Sequence, residues 1–289
     1  MKRIFRMISM LVFAGLLAGC GPQQQTRQTA ENDFPLIRDR FLAQDGYSFY
    51  GRTKLLTNHE TNGNYVNFSG QKQNRDMFMQ VKLSNPERNR ADTMSLLSKD
   101  DKMYAQMDGD QGWRQVGDGE EAIMQEFRNW NPEFSFSQMD QMRTRIVPGP
   151  DNNPNDSIKV MRVHLDPIKL KAWLGEQMKK QVNGTNQTAR APKLKVAMKL
   201  SEGEWNKMAQ GAHIQSDASR RNIDEIIRTM EIDASYTINY DQRSLLPTYT
   251  MMSIRSAYNM NGSRIRENSQ IETHIQSYGQ SYEMPDPTS

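Results

Sequence analysis

The sequence predicts an α+β protein in which one long, curved antiparallel sheet, an unclosed half-barrel, wraps over a few helices. Two blocks, residues 46–115 and 230–276, alternate apolar and polar positions with a period of two. Segments with helical periodicity lie before and between these blocks. Because such alternation leaves one apolar face on an antiparallel sheet, we expect the helices to cover that face.

A short amphipathic helix precedes the first block, and turn sequences divide the block into strands. Phe34, Ile37 and Phe41 recur at helical spacing. Polar stretches such as NHETNGN and NPERN then separate the predicted strands and indicate hairpins. The positions predicted to share the buried face of this block are Tyr47, Phe49, Thr53, Leu55, Val66, Phe68, Met77, Met79, Val81 and Leu83.

Further helices are predicted between the blocks. The segment EEAIMQEFRNW places Ile123, Phe127 and Trp130 on one side. Asp166 followed by Pro167 marks the clearest helix start, because an acidic N-cap and a proline at the first helical position both favour initiation. The apolar stripe of this helix is Leu170, Trp173, Leu174, Met178 and Val182. EWNKMAQ and NIDEIIRTM also predict helices, whereas KLKVAMKL leaves strand and helix open.

The second block predicts three long strands. The two-residue alternation runs from Met230 to Tyr240 and again from Leu246 to Tyr258. Asn261-Gly262 indicates a type I′ hairpin turn before the last strand. Strands of about ten residues exceed the usual five or six, and we expect such strands to form a strongly curved sheet.

The N-terminal segment has the layout of a secretory signal. Lys2, Arg3 and Arg6 form a basic start, and an uncharged run of 11 residues follows. This run is too short to span a bilayer, which takes roughly 20 residues. The end of the segment, Leu17, Ala18, Gly19 and Cys20, resembles the lipobox of bacterial lipoproteins. In that family the cysteine is diacylated and the signal peptide is cut just before it.

These features predict the organisation of the chain. Residues 1–19 are a lipoprotein signal peptide, and residues 20–32 are a flexible tether rich in Gln and Thr. Residues 33–280 form a single half-barrel domain, and residues 281–289 a polar tail. Diacylglyceryl and palmitoyl modification of Cys20 is expected to hold the domain at the cell membrane, on its extracytoplasmic side.

The charge balance argues against a nucleic-acid partner. The 289 residues carry a formal net charge of +3, and the predicted signal peptide holds three basic and no acidic residues. Removal of that segment leaves 34 basic and 34 acidic residues. A chain without net charge has no general attraction for nucleic acid.

No catalytic, metal or cofactor site is predicted. The four histidines, His59, His164, His213 and His274, do not stand at the spacing of metal-ligand pairs. The sequence contains no phosphate-binding loop, dinucleotide fingerprint or nucleophile elbow. The only cysteine, Cys20, is unavailable as a nucleophile if it is acylated. We therefore expect a protein that is not an enzyme.

The body of the chain resembles the lipoprotein-carrier superfamily, which includes the LolA/LolB carriers and the LppX/LprG-type lipoproteins. The segments that carry the resemblance are YSFYGRTKL, YVNFSG, MFMQVKL, KMYAQM, DPIKLKAWL and YTINYDQRSLLPTYTMMSI. In the last segment, Asp241, Leu246 and Pro247 look like a strand–turn–strand unit of this superfamily. The resemblance implies a half-barrel whose concave face, closed by helices, holds an acyl chain or a similar apolar group. The lipobox argues against LolA itself, which is a free periplasmic carrier.

Methionines add a hypothesis about the interior. The chain has 20 methionines, and several fall on predicted inward faces. Methionine adapts to varied apolar partners, but it also fills gaps in ordinary cores, and the sequence leaves both readings open. The residues predicted to line an apolar ligand cavity are Met77, Met79, Phe127, Trp173, Leu174, Met178 and Met252.

Two functions follow as hypotheses. The first is a membrane-anchored extracytoplasmic lipoprotein that binds a lipid or another apolar ligand in its half-barrel. The alternative is an interaction or sensor domain with a solid core that regulates another envelope protein. An apolar tunnel on the order of several hundred Å³ favours the first, and a fully packed core favours the second.

Overall fold

The computed structural model describes residues 22–57, 64–85, 90–117, 121–150, 157–184 and 221–287. The predicted signal peptide, the lipobox and the segments KLKVAMKL and EWNKMAQ lie outside these residues. The described part forms one eleven-stranded antiparallel sheet with five helices. The predicted α+β fold is therefore confirmed.

The strands follow a meander that does not close. The strand order is β6-β5-β4-β3-β2-β1-β11-β10-β9-β8-β7, so β6 and β7 form the two edges and β1 pairs with β11 in the middle. The strands are β1 Gly46–Thr57, β2 Asn64–Gln73, β3 Asp76–Asn85, β4 Arg90–Lys99, β5 Lys102–Met107, β6 Arg114–Gln115, β7 Arg143–Pro148, β8 Ile158–Leu165, β9 Glu231–Asp241, β10 Pro247–Met260 and β11 Ser263–Gln276.

The predicted inward face is confirmed along the central strands. On β9 the buried side chains are Ala234, Tyr236, Ile238 and Tyr240, at every second position. Met252 and Ile275 are also buried, as the alternation on β10 and β11 predicts. The turn between these two strands has positive φ at both Asn261 (52°) and Gly262 (75°), as a type I′ turn requires.

Two glycines allow aromatic rings to lie against neighbouring backbone. Gly70 of β2 pairs with Phe49 of β1, and a Cβ on Gly70 would lie 2.4 Å from Cζ of Phe49. Gly51 of β1 pairs with Phe68, whose Cζ would lie 2.5 Å from a Cβ on Gly51. The missing side chains thus leave the space that both phenyl rings occupy inside the sheet.

The five described helices are α1 Pro22–Leu42, α2 Glu121–Trp130, α3 Pro132–Met142, α4 Pro167–Gly184 and α5, residues 221–229. The start of α4 is confirmed: Oδ1 of Asp166 accepts hydrogen bonds from the backbone N–H of Ile168 (2.8 Å) and of Lys169 (3.2 Å). This side chain satisfies donors that have no partner within the helix.

The prediction of a flexible tether over residues 20–32 is wrong for residues 22–32, which belong to α1. Residues 22–29 contain no apolar side chain, so this part of the helix has no stripe that periodicity could detect. Ala30, Phe34, Ile37 and Phe41 of this helix are buried. Helix α1 packs against β7 and α3 and fills one end of the half-barrel.

No element was predicted between Trp130 and Pro148, where the chain forms α3 and β7. The side chain of Asn131 caps α3 by accepting a hydrogen bond from the N–H of Glu133 at 2.9 Å, and Pro132 follows the cap. This Asn-Pro start is the signal that sequence reasoning missed. Phe136, Met139 and Met142 form the buried face of the helix.

The chain remains attached to the sheet beyond the predicted boundary at residue 280. The backbone N–H of Tyr282 donates to Oε1 of Gln73 at 2.6 Å, and the N–H of Gly279 donates to the carbonyl of Gly46 at 2.9 Å. The first residues of the predicted polar tail therefore contact β2.

A buried ion pair joins α3 to the sheet. Lys72 lies on the inner face of β2 and is only 7% exposed. Its Nζ donates to Oε1 of Glu133 at 2.5 Å and to the carbonyl of Gln44 at 2.8 Å, and it lies 5.7 Å from the centroid of the Tyr47 ring. Because the lysine is largely shielded from water, these partners replace most of the hydration that its ammonium group loses on folding.

We expect Glu133→Leu to lower the free energy of unfolding by about 3 kcal/mol, because it leaves the buried ammonium of Lys72 without its carboxylate. Urea unfolding measures the change, and the double variant K72M/E133L should recover most of it. Arg255→Ala is the control: it breaks the Arg255–Asp233 pair, whose side chains are 73% and 63% exposed, and should cost at most about 1 kcal/mol. Equal losses for Glu133→Leu and Arg255→Ala would contradict the prediction.

We expect Gly70→Ala to destabilise the fold by about 1–3 kcal/mol, because its Cβ would meet the Phe49 ring and also the carbonyl oxygen of Phe78 at 2.7 Å. Gly112→Ala is the matched control, since no atom lies within 4 Å of a Cβ there. That variant should stay within about 0.5 kcal/mol of the wild type in the same urea titration. A Gly70→Ala protein as stable as Gly112→Ala would show that the sheet relaxes around the new methyl group.

Candidate functional site

The concave face of the sheet carries two cross-strand rows of inward side chains at its centre. In the first row, Thr53 of β1 pairs with Ile271 of β11, Ile271 pairs with Met252 of β10, and Met252 pairs with Tyr236 of β9. The second row contains Leu55, Ser269 and Ile254 in the same order of strands. Together these side chains form the sheet wall of a cavity.

Three helices form the opposite wall. Trp130 ends α2, Phe134 lies in the first turn of α3, and Trp173 lies on α4 with its ring centroid 6.2 Å from that of Phe134. The space between the two walls, which is partly open to solvent, has a volume of about 240 Å³. The described residues that line it are Thr53, Leu55, Asn129, Trp130, Phe134, Ser135, Gln138, Leu170, Trp173, Leu174, Tyr236, Met252, Ile254, Ser269 and Ile271.

The position of the cavity follows from the place of α1. At the other end of the half-barrel, the ring of Phe41 lies 4.9 Å from that of Phe136 and 5.0 Å from that of Tyr47. Phe34 stacks on Phe136 at 6.3 Å. These rings fill the space under the sheet, and no residue of α1 lines the cavity. The cavity lies at the end that α4 covers.

Two hydrogen bonds join polar groups of the cavity wall to one another. Nε1 of Trp130 donates to Oγ1 of Thr53 at 3.0 Å, which joins α2 to β1. The hydroxyl of Tyr236 donates to Oε1 of Gln138 at 2.7 Å, which joins β9 to α3. Burial raises the pKa of Tyr236 above its usual value, so this phenol stays neutral. With these groups paired inside the protein, the wall offers a ligand mainly apolar surface.

The structure brings three of the predicted cavity residues together and leaves four apart. Trp173, Leu174 and Met252 line the cavity. Met77, Met79 and Phe127 are buried in the same core without lining it. Met178 is half-buried on α4 and also lies off the wall. Met79 pairs with Gly70 and Leu96, so the methionines of β3 face the part of the core under the first strand block.

Sequence reasoning missed the α3 side of the cavity. Phe134, Ser135 and Gln138 were not predicted as site residues because no helix was predicted there. The sequence Asn131-Pro132 indicates a helix start, but the helix that follows has Ser135 and Gln138 on its inner side and therefore lacks a continuous apolar stripe. The alternation predicts that Tyr236, Ile254 and Ile271 lie on the inward face of the sheet. It does not show which part of that face the helices leave uncovered.

A second, larger depression lies at the far ends of β1, β9, β10 and β11. Its volume is about 550 Å³, and it is open to solvent. Charged side chains line it, among them Arg255 and Asp233, which pair with each other at 2.6 Å. A groove that is open to solvent and lined by charged side chains fits an apolar ligand less well than the cavity beneath α4 does.

Two further findings concern the described residues only. No group of three or more His, Cys, Asp or Glu side chains stands close enough to hold a metal ion. None of the helices in this part of the chain is both long and apolar enough to cross a membrane. Neither of the two described histidines, His164 and His274, lines the cavity. Burial lowers the pKa of His164. The ring of His274 packs between those of Tyr50 and Tyr249 on the outer face.

Comparison with known proteins finds no matching family model and no matching curated protein. Among solved structures, LprF from Mycobacterium bovis is similar at 8% identity, over 92% of this chain and 98% of that one, with a TM-score of 0.42. The lipoprotein LppX from Mycobacterium tuberculosis is similar at 7% identity, over 89% and 99% of the two chains, with a TM-score of 0.41. A putative outer membrane lipoprotein-sorting protein domain from Vibrio parahaemolyticus is similar at 6% identity, over 89% and 95%, with a TM-score of 0.29. At such distances these likenesses carry no argument about what this chain binds.

Proposed function

We propose that the protein is an extracytoplasmic lipoprotein, anchored to the membrane through Cys20, whose half-barrel binds an apolar ligand. The observation that carries the ligand-binding part is the cavity of about 240 Å³ under α4, with apolar walls and internally paired polar groups. A concave, mainly apolar space with a few polar groups on its wall is the usual form of a site for a small apolar ligand.

The dimensions of the cavity limit that occupant. Ligand pockets commonly measure about 300–1,000 Å³, so this cavity suits a small apolar molecule or one segment of a longer chain. Each methylene group moved from water onto the wall contributes about 0.8 kcal/mol. The aromatic rings of Phe134 and Trp173 and the side chains of Leu170 and Leu174 supply the surface for that transfer.

The anchor is supported by the sequence at the N-terminus. A basic start, an uncharged run and the Leu17–Cys20 motif stand in the order that lipoprotein export requires. A diacylglyceryl group carries two acyl chains, and two chains give the stable membrane attachment that one does not. Helix α1 begins at Pro22, two residues after the proposed modification site, and ends inside the half-barrel. The domain would therefore be held close to the membrane surface.

The outer face supports the alternative of an interaction domain. Tyr50 is 47% exposed, and its ring stacks on His274 at 4.8 Å; Tyr249 follows on the next strand, 4.9 Å from the same histidine. A row of rings across three strands on the convex face is a surface that a protein partner can contact. The two functions are compatible, because the row and the cavity lie on opposite faces of the sheet.

We expect Ser269→Trp to weaken binding of the uncharged fluorescent probe N-phenylnaphthylamine by about tenfold or more, because the indole would occupy the cavity. The full chain with Cys20→Ala serves as the parent for this titration, because it carries no acyl chains of its own that could compete for the cavity. Ser253→Trp is the matched control: it lies on the outer face of the adjacent strand and should bind the probe like the parent. Binding that survives Ser269→Trp unchanged would place the ligand elsewhere.

We expect cells that express the wild-type chain to incorporate labelled palmitate into the protein and to retain it in the membrane fraction. Cys20→Ala removes the only thiol, and that variant should carry no label. Gel fluorography and fractionation of the envelope measure both properties. A labelled Cys20→Ala protein, or an unlabelled wild type, would refute the anchor.

A further inference from the structure

We infer that the cavity selects ligands that carry no charge. This inference rests on the proposed function and specifies the ligand class. Fifteen described residues line the cavity, and none of them is Asp, Glu, Lys, Arg or His. An ionised headgroup drawn into this space would lose its hydration and meet no counterion on the wall.

Three charged side chains close in sequence to the lining residues already have partners. Glu133 precedes Phe134 on α3, and its carboxylate pairs with Lys72 at 2.5 Å. Glu267 lies two residues from Ser269, and its Oε1 accepts a hydrogen bond from the hydroxyl of Tyr258 at 2.9 Å. Arg255 follows Ile254, but it lies on the outer face and pairs with Asp233. Glu267 shares the inner face with Ser269, in the neighbouring cross-strand row, but it is not among the described residues that line the cavity. Arg255 would have to leave the outer face to enter the cavity.

The polar groups on the wall suit an uncharged headgroup. Ser135 and Ser269 present hydroxyls, and Gln138, whose Oε1 accepts from Tyr236, presents its amide NH₂ group. These groups hydrogen-bond to an ester, a hydroxyl or an amide, and none of them ionises at physiological pH. Dipoles of this kind offset the desolvation of a neutral polar group but not that of a full charge. The class of ligand is thus an apolar chain with a hydroxyl, ester or amide group, such as a long-chain alcohol or an acylglycerol.

Three probes with the same chain and different headgroups test the inference. Octanol, octanoate and octylammonium each compete with N-phenylnaphthylamine for the full chain carrying Cys20→Ala, at neutral pH, where the second is an anion and the third a cation. Octanol should displace the fluorophore at a concentration about tenfold or more below that of either ion. The two ions should be equally weak, because the cavity provides a counterion for neither.

A charge placed on the wall should reverse this selectivity. Ser269→Lys is expected to strengthen octanoate binding by about tenfold while leaving octylammonium weak, since the new ammonium supplies the missing counterion. Ser253→Lys, on the outer face of the neighbouring strand, should change none of the three affinities. Far-ultraviolet circular dichroism and urea midpoints check folding, and Ser135→Lys on α3 replaces Ser269→Lys if the latter does not fold.

The outcomes separate the inference from the function on which it rests. Tight binding of one ion in the parent, or an unchanged preference in both inward lysine variants, would overturn the selectivity while leaving ligand binding intact. Failure of the fluorophore and of all three probes to bind would refute the proposed function itself. Preference for octanol in the parent, with gain of octanoate binding only in an inward lysine variant, supports both.

Discussion

The apolar inner face of the eleven-stranded sheet is the constraint on which the rest of the structure depends. The sheet ends at β6 and β7 and does not close, so it cannot bury this face against itself as a barrel does. Helices from three separate stretches of sequence, before β1, between β6 and β7, and between β8 and β9, enter the curve and cover it. Each helix is therefore placed by the strip of sheet that it shields, and the shape of the interior follows from how completely the helices fill it.

The two ends of the curve are filled differently. At one end α1 and α3 bring rings into contact, with Phe41 and Phe136 only 4.9 Å apart. There the ion pair of Lys72 and Glu133 also fixes the first turn of α3 against β2. At the other end α4 lies across β9 and leaves space between Trp173 and the row that contains Met252 and Tyr236. One half-barrel thus contains both a packed core and a cavity. From the sequence alone these were alternatives, the packed core indicating an interaction domain and the cavity a ligand-binding protein.

Long-range hydrogen bonds keep that open end apolar. Trp130 with Thr53, and Tyr236 with Gln138, each join a helix to a strand far away in sequence. If either pair were absent, a donor would face the cavity and attract water or a polar ligand. Because both pairs are present, the cavity presents carbon surface and a few neutral dipoles. The tertiary structure therefore determines the chemistry of the site as well as its shape.

The sequence by itself determined the features that depend on neighbouring residues. Alternation along the strands identified the inward face, Asp166-Pro167 located the start of α4, and Asn261-Gly262 located the last hairpin, because each pattern acts within a few residues. Helix α1 was recognised only from its apolar half, and α3 was not recognised at all. Only the tertiary structure decided that Trp173 and Met252 line a cavity while Met77 and Met79 lie within solid core. Periodicity shows which face a side chain occupies, but whether that face is packed depends on helices that arrive from distant parts of the chain.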